Sequence, residues 1–220
     1  MPALGPDQPI YGIWYPAMHG GNNVAGSIED IATACVAVIR EAQHDGPYFL
    51  FGHSLGGLVM YEVARQLHHE GEVIGLLAMA DSAHPRFVAS EWRRRAFHLR
   101  RWVRKALGPD ALSTIRAAAR RSSIVGSDVR LDLTAVMARE RNYQPSAAEW
   151  PVAIFATEAW REYGKGPDLG WGPLLSEWTS DPVPGSHDSM IAEPHVHVLA
   201  AKLAERVCAA HSDPRVTQRR

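Results

Sequence analysis

The 220-residue sequence is short of several things, and each shortage narrows what the protein can be. It has almost no net charge, −1 at neutral pH, so no global field marks it for nucleic acid or an anionic membrane. It has only two cysteines, Cys35 and Cys208, both in helical patterns. Secreted domains of this kind usually carry more paired cysteines, so a reduced, cytoplasmic protein is the simpler expectation. No apolar run approaches the roughly 18 to 20 residues that a membrane span needs. The stretch from Met1 to Pro9 has neither a basic region nor an apolar core, so no signal peptide is read there. There is no internal repeat, no low-complexity stretch and no recognised nucleic-acid module.

What is present is a chain with 46% hydrophobic residues, enough for one substantial core and cramped for two. Short apolar runs alternate with helical patterns, which predicts a mostly parallel sheet covered by helices. Strands are expected at Ile10–Tyr15, Tyr48–Phe51, Val73–Ala80 and Val152–Ala156, with a weaker one at Glu177–Pro182. Val73–Ala80 is apolar throughout, as a strand covered on both faces must be. Ser27 followed by Asp30 reads as a capping box opening a helix, with Ile31, Cys35, Val38 and Ile39 as its apolar stripe. A second helix is expected from about Leu55 to His69, with Leu58, Val59, Val63 and Leu67 inward and Gly71 as its stop. The last helix has Pro194 in its first turn. Between about Arg86 and Tyr143 the pattern becomes helical and crowded with arginine, as an insertion between two strands would be. The tail Ser212–Arg220 is polar and is expected to be disordered.

The chemistry centres on Gly52-His53-Ser54-Leu55-Gly56. A G-x-S-x-G run is weak evidence alone, but here a strand enters it and a helix leaves it, the setting of a nucleophile elbow. Glycines at both ends are expected because the turn leaves no room for side chains. The turn lifts the Ser54 hydroxyl off the sheet edge and sets it at a helix N-terminus, where the Leu55 N–H can serve as an oxyanion donor. Ser54 needs a base, and the base needs an orienting acid. Among 11 histidines the candidate is His187, in the loop Pro184-Gly185-Ser186-His187 between the last strand and the last helix. His195 and His197 lie two apart and face different ways, and His68 and His69 close the helix after the elbow. Two aspartates compete for the acid. Asp81 ends the strand after the elbow helix with no slack, whereas Asp168 lies in a loose Gly-Lys-Gly-Pro-Asp segment, so Asp81 is favoured. No metal-binding constellation is read.

Several blocks carry a family resemblance: Gly46-Pro-Tyr-Phe-Leu-Phe-Gly-His-Ser-Leu-Gly-Gly57, Tyr61-Glu-Val-Ala-Arg-Gln-Leu67, Ala80-Asp-Ser82, Asn142-Tyr-Gln-Pro145, Gly170-Trp-Gly-Pro-Leu174, Val183-Pro-Gly-Ser-His187 and Glu193-Pro-His-Val196, with Gly5-Pro-Asp-Gln-Pro-Ile-Tyr-Gly12 ahead of them. In this order and spacing the chain resembles the type I thioesterase domains of nonribosomal peptide and polyketide synthases, within the α/β-hydrolase superfamily. The resemblance implies one domain over residues 1–220 with a helical lid insertion at about 86–143. It implies catalytic Ser54, Asp81 and His187, with Leu55 in the oxyanion hole. The implied activity is release of an acyl or peptidyl chain from the phosphopantetheine thioester of a carrier protein, by hydrolysis or macrocyclisation through an acyl-Ser54 intermediate, with no cofactor of the enzyme's own. The implied partners are an acyl or peptidyl carrier protein and the small-molecule acyl chain, with no nucleic acid and no membrane.

The lid arginines, Arg93-Arg-Arg95, Arg100-Arg101, Arg104-Lys105 and Arg120-Arg121, read first as a solvated face with Trp92, Phe97, Leu99, Trp102 and Val103 inward. A dock for an acidic carrier protein is the alternative. Family members begin with a further strand ending in a His-Pro-x-Gly-Gly type loop, which supplies the second oxyanion donor. That strand lies between the one holding Tyr11–Trp14 and the one leading to Ser54. It is not found here, so an N-terminally shortened sheet, or a start further upstream, is expected. Met18-His19-Gly20-Gly21 imitates such a loop but matches the loop after the next strand. Two other functions stay open: a general esterase or editing thioesterase, and a catalytically silent domain that binds carrier proteins.

Overall fold

In the computed structural model, residues 8–13, 26–87, 139–161 and 166–217 are described. Four strands form one parallel sheet: β1 (Tyr48–His53), β2 (Ile74–Ala80), β3 (Val152–Thr157) and β4 (Trp178–Val183), in the spatial order β1-β2-β3-β4. The helices are α1 (Ile28–Ala42), α2 (Leu55–His69) and α3 (Val196–His211), followed by a short turn of helix at Pro214–Thr217. Among the described residues, none of these helices is long and apolar enough to cross a membrane.

Each element follows from local chemistry. Ser27 accepts from the Asp30 N–H while the Asp30 carboxylate accepts from the Ser27 N–H, a complete capping box that satisfies donors otherwise orphaned at a helix start. The buried stripe of α1 is Ile28, Ile31, Ala32, Cys35 and Val36. Val38, expected in that stripe, is 49% exposed, and Val36 takes the inward place. Helix α2 ends where Gly71 adopts φ 90°, a conformation that costs glycine little and other residues more. Strands β2 and β3 are buried at every position, because α1 and α2 cover one face and α3 the other.

The expected strand at Ile10–Tyr15 is not formed in its described part. Residues 10–13 carry no strand structure, and Ile10 and Tyr11 are 56% and 68% exposed. Trp14 and Tyr15 lie outside the described residues. The physical reason is that an extended segment needs a neighbour for its N–H and C=O groups, and among the described residues β1 pairs only with β2. Among the described residues β1 is therefore an edge of this sheet. The proposed lid falls outside the described residues from 88 to 138, as does the Met18–Gly21 loop.

The segment returning from that stretch is held on α2 by buried polar groups. Glu62, 1% exposed, accepts from Tyr143 Oη at 3.0 Å, from Gln66 at 3.0 Å and from Arg65 at 2.6 and 2.8 Å. These donors hold its carboxyl below the usual range against the opposing effect of burial. Tyr61 Oη donates to the Ser146 carbonyl at 2.7 Å. Tyr143→Phe leaves Glu62 buried with one donor fewer, so it should lower unfolding free energy by about 1–3 kcal/mol. A shift of the urea midpoint at constant slope measures this.

Candidate active site

Parallel register brings three strand ends to one edge. His53 lies opposite Ala80, and Ala80 opposite Phe155. The ladder runs one residue further: Ser54 N–H donates to the Ala80 carbonyl at 2.9 Å, and Asp81 N–H to the Phe155 carbonyl at 2.8 Å. Ser54 and Asp81 thus occupy adjacent positions at the carboxyl edge of the sheet, the edge where open parallel sheets hold their ligands.

Ser54 has φ 56° and ψ −126°, strained for a residue with a side chain. The strain is held by close packing. A Cβ on Gly52 would collide with the backbone of Gly56 and Gly57. A Cβ on Gly57 would overlap the Ser82 hydroxyl, which donates to the Ser54 carbonyl at 2.7 Å. The second motif glycine, Gly56, faces open space, so steric need for glycine falls on Gly52 and Gly57 rather than on both ends of the motif. Leu55 is the first residue of α2, and the first N–H groups of a helix lack intrahelical partners.

His187 arrives on the loop after β4. Its Nε2 is 3.0 Å from Ser54 Oγ, and its Nδ1 is 3.4 Å from Asp81 Oδ2. The second contact is longer than a formed hydrogen bond, and the buried Nδ1 has no other partner. Asp81 itself is 1% exposed and fixed from behind: Thr157 N–H donates to Oδ1 and Thr157 Oγ1 to Oδ2, each at 2.8 Å. The His187 ring packs near His53, with centroids 4.7 Å apart, and near Trp160 at 5.4 Å. His53 Nε2 is 2.9 Å from the His187 carbonyl, which can only accept, so His53 donates. Burial first, then the neighbouring His187, hold the His53 imidazole below its ordinary pKa, so it serves as a neutral clamp on the loop.

The other sequence candidates lie elsewhere. Asp168 caps its own turn, accepting from Gly172 N–H at 2.9 Å. That turn is a packing block: Leu169 and Trp171 are fully buried, and Trp171 Nε1 donates to the Ser82 carbonyl at 2.8 Å. His68 sits 3.6 Å from Glu149, and His197 3.8 Å from Glu193, both at the surface. Helix α3 starts at Val196, two residues after Pro194. No group of three or more potential metal ligands occurs among the described residues.

One buried carboxyl group was not legible in the sequence. Glu140, on the helical turn at 139–142, is 9% exposed, and burial pushes its carboxyl up to about 7. The charge of His187 acts on it in the opposite, weaker sense. Between Arg139 and Arg141 it reads in sequence as part of a solvated charge run, and no local signal separates it from its neighbours. The raised value has a consequence for stability. The unfolded chain ionises Glu140 near the ordinary 4.5, the folded chain only near 7, so its contribution is present at low pH and is lost as pH rises through 7. Glu140→Gln removes that loss. Relative to the native chain it should gain roughly 2–3 kcal/mol between pH 5 and pH 8, read as a widening difference in urea midpoints.

Known proteins of one family are similar to this chain in sequence and fold. The profile of the thioesterase domain family matches residues 2–149. Among curated relatives, the non-reducing polyketide synthase PKS16 of Cladonia grayi is 45% identical over 85 residues, 39% of this chain and 4% of its own. Enterobactin synthase component F of Escherichia coli (strain K12) is 24% identical over 184 residues, 79% of this chain and 14% of its own. This chain therefore spans a small part of those relatives. Among solved structures, the NocB thioesterase domain in covalent complex with a fluorophosphonate nocardicin G analog superposes with a TM-score of 0.56 at 24% identity, covering 90% of this chain and 80% of that one. The four-domain nonribosomal peptide synthetase AB3403 gives 0.61 at 21% identity, covering 84% of this chain and 16% of that one. The fold is thus that of the α/β-hydrolase-type thioesterase domains, and with a family match across two thirds of its length this chain belongs to the thioesterase domain family.

Proposed function

We propose that this chain is a serine thioesterase that releases an acyl or peptidyl chain from the phosphopantetheine thioester of a carrier protein, with Ser54 as nucleophile, His187 as base and Asp81 as the orienting acid. The observation that carries the reading is the 3.0 Å approach of His187 Nε2 to Ser54 Oγ, with Asp81 behind the ring. The names of the relatives, a polyketide synthase and an enterobactin synthase component, support the carrier-bound substrate.

In this mechanism Ser54 Oγ attacks the thioester carbonyl carbon as its proton passes to His187 Nε2. The oxyanion is met by the Leu55 N–H at the start of α2, where the helix dipole favours negative charge. Collapse breaks the C–S bond, and the pantetheine thiol leaves with the proton from His187. Water, or a nucleophile within the chain, then gives its proton to His187 and attacks the acyl-Ser54 ester. Ser54 Oγ leaves and recovers that proton. The imidazolium formed at each stage is stabilised by Asp81. The 3.4 Å Nδ1–Oδ2 contact is one that shortens as positive charge develops, since a charge-assisted bond is shorter and stronger than a neutral one.

Intact mass after incubation with a fluorophosphonate tests the serine. One adduct on the native chain, absent in Ser54→Ala, is the expected result; no adduct on a folded chain overturns the reading. Acyl-pantetheine thioesters should be turned over in preference to aryl esters, and the opposite preference would make the chain a general esterase. Asp81→Asn and His187→Ala should each lower kcat by about 10³-fold or more, while Asp168→Asn leaves it near native.

A further inference from the structure

The two nitrogens of His187 already face the reaction: Nε2 lies 3.0 Å from Ser54 Oγ and Nδ1 3.4 Å from Asp81 Oδ2. The Asp81 contact is longer than a formed hydrogen bond, and the same carboxylate also accepts both donors of Thr157. Two side chains pack against the imidazole ring itself. His53 has its centroid 4.7 Å away with 35° between the planes, and Trp160 has its centroid 5.4 Å away with 36°. Both contacts are closer to stacked than to edge-on, but they are chemically unequal. His53 is titratable, and burial and then the His187 charge lower its pKa, as repulsion between like charges does, so it gives a cation on His187 no support. The indole of Trp160 takes up no proton in this range and has an electron-rich face. A cation within about 6 Å of an indole centroid is attracted by the ring quadrupole, most strongly where water is excluded.

We propose that Trp160 is a positioning residue for the reaction, its indole stabilising the imidazolium that forms on His187 as the Ser54 proton passes to Nε2, and this inference rests on the reading of His187 as the base. The fold brings the ring there by a short route. Trp160 closes the helical turn Glu158–Trp160 that follows β3 directly, and its side chain packs on the main core cluster. Thr157, the residue before that turn, holds the Asp81 carboxylate. One strand end thus carries both the support of the acid and the ring beside the base. Among the described residues, the titratable groups that bear on this pair of rings are Asp81, His53 and Glu140, with Asp188 next in the chain. On the Trp160 turn, Glu158 is exposed and Arg161 donates to Ser180 Oγ at 3.3 Å. A contact that favours the imidazolium strengthens the base. Its loss slows acylation where His187 starts neutral. Where His187 starts protonated, ground state and transition state lose the same stabilisation and the rate is unchanged.

The test replaces Trp160 alone, in the intact 220-residue chain, by mono-, di- and trifluorotryptophan, which keep the shape of the indole while draining negative charge from its face. Trp160→Leu removes the ring. The readout is the rate of Ser54 labelling by a fluorophosphonate from about pH 5 to about pH 8, the span in which histidines titrate. The rate on the alkaline plateau should fall stepwise along the fluorinated series, by about three- to tenfold in total. The acid limb should move to lower pH, and the curves should converge at the acid end. Trp160→Leu should fall at least as far as the trifluoro variant. Native rates and a native acid limb throughout the fluorinated series overturn the assignment even if Trp160→Leu is slow, because ring volume alone then accounts for the residue; the serine reading stands. A fall by one factor at every pH overturns it equally. No labelling of the folded native chain overturns both readings.

Discussion

The structure depends on one constraint, the in-register parallel pairing that ends β1, β2 and β3 at a common edge. Because His53, Ala80 and Phe155 lie side by side, the residues that follow them have nowhere else to go. Ser54 and Asp81 take the last rungs of the ladder with their own N–H groups, and Thr157, at the end of β3, meets the Asp81 carboxylate. The positions of Ser54 and Asp81 are thus backbone facts, fixed by hydrogen bonds that buried strand ends cannot leave unmade. Asp81 has φ 44°, and Ser54 φ 56°, so both chains leave the sheet through strained turns that side-chain packing must hold.

His187 is positioned by different means. It rides on a loop, and loops orient poorly unless clamped. Here the clamp is a hydrogen bond from His53 to the His187 carbonyl together with ring packing against His53 and Trp160. The residue before Ser54 therefore holds the backbone of His187. The x position of the G-x-S-x-G motif acquires a structural role that the motif itself does not express. Burial lowers the His53 pKa, which disfavours a second positive charge beside His187.

Beyond the sheet, two buried devices tie later segments to α2. The Glu62 cluster fastens Tyr143, and through it the turn that carries Glu140. Trp171, fully buried, packs on Tyr61 at 4.5 Å and reaches the Ser82 carbonyl. The Gly-Trp-Gly-Pro block is thereby a buttress under the elbow, and Asp168, which competed on paper for the acid, serves as the cap of that block. Its carboxylate accepts from the Gly172 N–H, while the carboxylate 3.4 Å from His187 Nδ1 is that of Asp81.

Much was determined by the sequence alone, because the signals were local. Short apolar runs placed β1 to β3, the Ser27–Asp30 box opened α1, and the glycines around Ser54 announced the elbow. The order of Ser54, Asp81 and His187 along the chain marked the candidates, and the lack of slack after β2 selected Asp81. Tertiary structure decided the rest, where the outcome turned on what lay alongside. An apolar run at Ile10 forms no strand in its described part without a neighbour to pair with. Val36 rather than Val38 turns inward because of where α2 lies, and Gly57 rather than Gly56 is squeezed because Ser82 comes back against it. Glu140 is distinguishable from Arg139 and Arg141 only once folding has taken it out of water, since burial is a property of the folded chain and leaves no mark in the residues on either side.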